Sequence, residues 1–207
     1  MKVTRDNNQR MIGVNILNIF LFLVLLAIWI YRIHINHGFQ YGLSVISEAT
    51  YTALIFYLIN ILQFAGEKIL VQTPFSIYLG LQLISFISSF FSRIGLDAFS
   101  IGLGVLNFLV IISIVISAFK VKNEKLSFAF KTLGLCIVLP VILRVGLPLI
   151  PSFSELVYKA AKQGVSLTGY INLSEMIPLF AILYTLIQTG KILTEREPPS
   201  AIEFPAE

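Results

Sequence analysis

The chain is short of charge. Only 13% of its 207 residues are Asp, Glu, Lys or Arg, about half the share of an average soluble protein. A soluble domain needs polar residues to cover its surface, so an ordinary soluble fold is excluded. A disordered chain is excluded too, because 57% of the residues are hydrophobic. The net charge of +4 is too small a basic excess for a nucleic-acid binder, which neutralises many phosphates. Cysteine is nearly absent. Cys136 stands alone, which rules out an intramolecular disulfide and a Cys-built zinc or iron–sulfur site. His34 and His37 are the two histidines, and with no third ligand nearby they read as interfacial loop residues. The H-E-x-x-H, G-x-S-x-G and P-loop motifs are missing. No Arg-rich voltage-sensing segment is present. No catalytic residue, metal or cofactor is therefore expected.

What the chain does have is six long apolar runs, at 11–31, 43–64, 74–92, 98–119, 128–150 and 170–192. About 20 apolar residues cross a bilayer as a helix. Lipid offers no partners to free backbone groups, so runs of this length must be helical. The expected fold is all-α: a polytopic integral membrane protein with a six-transmembrane-helix bundle in one domain over 1–194. Between helices five and six, Ser152 and Glu155 have capping-box spacing. Apolar residues from Phe153 to Ala161 then recur at helical intervals, so a short amphipathic helix is expected there. Residues 195–207 are polar and proline-containing and read as a flexible tail.

The first run follows Lys2, Arg5 and Arg10 but is too long for a signal h-region, and no small-residue cleavage site follows. It reads as a retained helix. Placing the N-terminus inside puts ten of the fifteen Lys and Arg residues on inner segments and four on outer ones. The positive-inside rule then sets both termini in the cytoplasm, which suits a bacterial cytoplasmic membrane.

Charges inside spans are expensive, and each is a functional hypothesis. Three stand out: Glu48, Arg144 and Glu175. Counted from the ends of the apolar runs, all three lie roughly 7–9 Å below the outer boundary. Arg144, with its fork of donors, is expected to bridge both carboxylates. Pro140 and Pro148 flank it, and Pro178 follows Glu175. Each proline removes a helical hydrogen bond, so helix breaks are expected beside the charges. On the third run Tyr78, Gln82, Ser85 and Ser89 share a helical face and form a polar stripe. Gly102 and Gly104 read as close-packing residues in the fourth run.

These features point to a membrane protein that binds or transports a small solute or ion, as transporter or channel. Its outer-facing site would hold Glu48, Arg144 and Glu175, lined by Gln82, Ser85 and Ser89. The rival is a non-catalytic membrane subunit or assembly factor. The partners expected are the lipid bilayer and either a second copy or another membrane protein.

Overall fold

A computed structural model describes residues 2–31, 33, 36–91, 97–146 and 173–196, with single positions between 150 and 159. It is an all-α bundle of six helices: α1 (Arg5–Ile30), α2 (His37–Phe64), α3 (Ile69–Phe91), α4 (Asp97–Phe119), α5 (Glu124–Gly146) and α6 (Met176–Arg196). A 3-10 turn over Leu173–Glu175 leads into α6. All six are long and apolar enough to cross a membrane. Their outer faces carry exposed Ile16, Phe20, Val105, Leu109 and Ile142, a surface suited to lipid rather than water.

Most helices outlast the apolar runs that mark them. Thr4 and Asn36 cap α1 and α2 through their side-chain oxygens, so these helices start before their apolar segments do. Asn123 does the same for α5. Gly66 adopts φ 74° after α2, and Glu67 N–H bonds the Leu62 carbonyl at 3.0 Å. This is a Schellman closure, which favours glycine at the left-handed position. Pro74 lies inside α3 and not at its start, because the helix begins at Ile69. α6 continues through Glu195 and Arg196 into the segment expected to be tail. The rest of the tail and most of the expected amphipathic helix lie outside the described residues.

Each helix packs on the next in sequence, and α6 returns to α1. The six thus form a closed ring. Short connections make neighbours antiparallel, so one end of the ring gathers the starts of α1, α3 and α5. This end carries Lys2, Arg5, Lys68, Lys120, Lys122 and Lys125, and is called the basic end below. Here the ring is filled. Leu54, Leu58, Phe75, Ile114, Phe130, Leu133 and Ile182 have no accessible surface. Phe75 and Phe130 meet edge to face across the ring, with centroids 6.0 Å apart. Exposed Trp29, Tyr31, Phe39 and Tyr41 mark the opposite end, as interfacial aromatics do.

Two polar contacts set α1 against α6. Asn8 Nδ2 donates to the Leu186 carbonyl and Asn15 Nδ2 to the Leu179 carbonyl, both at 2.9 Å. Both asparagines are buried. The basic end is fastened by Glu67, whose Oε1 accepts the N–H groups of Lys122 and Asn123 at 2.8 Å each. Lys125 also ion-pairs with Glu195 there. Gly102 and Gly104 face open space, so close packing at α4 falls elsewhere. It falls at Gly134, where an added Cβ would stand 2.9 Å from Ala118 Cβ.

Candidate functional site

Above the apolar plug the ring leaves a half-open cavity of about 460 Å³, lined by residues from all six helices and the turn before α6. The lining residues recur at four-residue steps: Asn18 and Phe22, Ser47 and Tyr51, Tyr78 and Gln82, Asn107 and Ile111, Pro140 and Arg144. That spacing puts each pair on one helical face. The ring turns these faces inward.

Glu48, Arg144 and Glu175 all line this cavity. Arg144 is ion-paired with Glu175. It does not bridge Glu48, contrary to expectation. The two carboxylates stand at different places along their helices. α2 begins at His37, so Glu48 lies about 16 Å along its helix. Glu175 instead sits in the turn at the mouth of α6. Glu48 is left exposed, and among the described residues its carboxylate has no hydrogen bond or ion pair. An ionisable residue within a span is expected to face the bundle interior or a water-filled cavity, as Glu48 does.

The prolines act differently from expectation. Pro140 lies within an unbroken α5; its ring lines the cavity, and the Cys136 carbonyl loses its helical donor. Pro178 stands in the first turn of α6, where no helical N–H bond exists to be lost. It therefore starts a helix and breaks none. Pro148 lies outside the described residues. Of the α3 stripe, Tyr78 and Gln82 line the cavity, while Ser85 is exposed outside it. The side chain of Ser89 is not among those described.

Several lining residues carry no charge and were not expected at the site. Ser47 Oγ donates to Asn18 Oδ1 at 2.7 Å, linking α2 to α1. The Tyr51 and Tyr78 hydroxyls lie 3.3 Å apart, linking α2 to α3. Asn107 Oδ1 is buried with no hydrogen-bond partner. Tyr51 follows Glu48 by three residues and Asn18 precedes Phe22 by four, a signal that becomes readable once Glu48 is taken as an anchor.

Comparison with protein-family models, curated proteins and solved structures finds no match. Function must then be argued from the site itself.

Proposed function

We propose that the protein captures a small polar solute or ion from the outer side of a bacterial cytoplasmic membrane, with both termini in the cytoplasm. One observation carries this reading: the ring holds a polar cavity at one end and a solid apolar plug at the other. Plain structural packing would fill both halves. A blind polar chamber lined by Glu48, Arg144 and Glu175 is instead suited to holding a ligand. The concentration of Lys and Arg at the plugged end supports an orientation with that end inside and the cavity outward.

Cysteine labelling tests this reading. In a Cys136→Ser background, Asn107→Cys reacts with a membrane-impermeant thiosulfonate added outside cells. Ile114→Cys, two turns deeper in the plug, does not. Labelling of Asn107→Cys from the cytoplasmic side only, or from neither side, overturns the reading.

The blind base also favours the rival reading, a membrane subunit that depends on a partner. A chamber closed at the cytoplasmic end cannot pass a solute without rearrangement. Native mass spectrometry after gentle solubilisation separates the two, since a stable hetero-complex supports the subunit and a homo-oligomer supports a self-sufficient transporter.

A further inference from the structure

The charges on the cavity wall do not cancel. Glu175 is matched by Arg144, the one cationic side chain among the described residues of the lining. Glu48 is unmatched, so the described lining carries one net negative charge. An unmatched carboxylate calls for a ligand that brings positive charge and N–H groups.

Size and lining narrow the class. A cavity of about 460 Å³ is many times the roughly 30 Å³ share of one water, too roomy for a bare ion. Among the described residues no group of three His, Cys, Asp or Glu side chains could hold a metal. Phe22, Tyr51 and Tyr78 supply aromatic wall, which suits both an apolar skeleton and a cation. A quaternary ammonium has no N–H to give the Glu48 carboxylate.

We propose that the cavity binds a small primary ammonium ion with a short apolar tail. Glu48 balances its charge and accepts its N–H groups. This assignment rests on the outward-facing cavity proposed above.

The test uses the full chain in lipid nanodiscs and four probes of one skeleton: isopentylammonium, isovalerate, isovaleramide and leucine. Calorimetry is expected to show isopentylammonium binding at least tenfold more tightly than the other three. Glu48→Gln weakens that binding at least tenfold, and Glu48→Asp restores part of it. Glu48 is exposed and unpaired, so Glu48→Gln leaves the thermal unfolding of the protein unchanged and the comparison stays valid. If leucine, isovalerate or the amide binds as well as the amine, the cation assignment falls while the cavity remains a binding site. If the amine binds equally to wild type and Glu48→Gln, Glu48 is not its counter-ion and the proposal falls. If no probe of any charge binds and Asn107→Cys resists labelling, the outward-facing site falls with it.

Discussion

Gly134 is the position where a single methyl group decides how α4 and α5 pack. An added Cβ there would lie 2.9 Å from Ala118 Cβ and 3.3 Å from Val115 Cα. The second of these is backbone, which cannot swing aside. Alanine normally gains up to about 1 kcal/mol over glycine within a helix. Overpacking a tight contact costs about 1–3 kcal/mol, so the packing term wins. Gly134→Ala is expected to lower the unfolding midpoint in a detergent titration. Gly102→Ala, facing open space, should leave it unchanged or raise it. Equal shifts at the two positions would mean that α4 and α5 do not meet closely at Gly134.

At the scale of the element, connections matter as much as helices. Glu67 sits in the α2–α3 connection, is 7% exposed, and holds two N–H groups at the entry to α5. Glu67→Ala leaves those donors without their acceptor, at about 1–3 kcal/mol each if they stay buried. Glu67→Gln keeps an acceptor oxygen and loses only the charge assistance. Alanine is therefore expected to destabilise the protein by at least twice as much as glutamine, read by thermal unfolding. The Lys125–Glu195 pair at the same end is 61% and 58% exposed, and solvent-exposed pairs contribute about 0–1 kcal/mol. Glu195→Gln should be nearly silent beside Glu67→Ala. Removal of Glu67 without measurable loss would show that the basic end is held by the apolar plug alone.

At the scale of the whole molecule, the sequence carries the number of helices better than their arrangement. Six long apolar runs leave little choice of secondary structure in lipid, and the six helices match them one for one. That three lone charges share one cavity is legible as well, because each needs a reason to sit in a span. Their pairing is not legible. It depends on how the helices sit against one another once the ring closes, which brings Arg144 to Glu175 and not to Glu48. The roles of Asn18, Tyr51 and Asn107 depend on ring closure by α6, a long-range fact that no local pattern encodes. Closure divides the ring into a filled half and a hollow half, and α2 passes through both. Its residues 54–62 include Leu54, Ile55, Leu58, Ile61 and Leu62, all at zero exposure. Its residues 44–51 are partly buried or exposed and border the cavity through Ser47, Glu48 and Tyr51. Local opening is easier where buried contacts are few and water reaches the backbone. Amide hydrogen exchange in nanodiscs is therefore expected to be at least tenfold slower over 54–62 than over 44–51. Both segments belong to one helix in one bilayer, so membrane shielding alone predicts equal rates or a gradient symmetric about the bilayer centre. Uniform exchange along α2 would show that water does not reach the cavity. A steep step between Tyr51 and Leu54 would place the floor of the chamber at the plug.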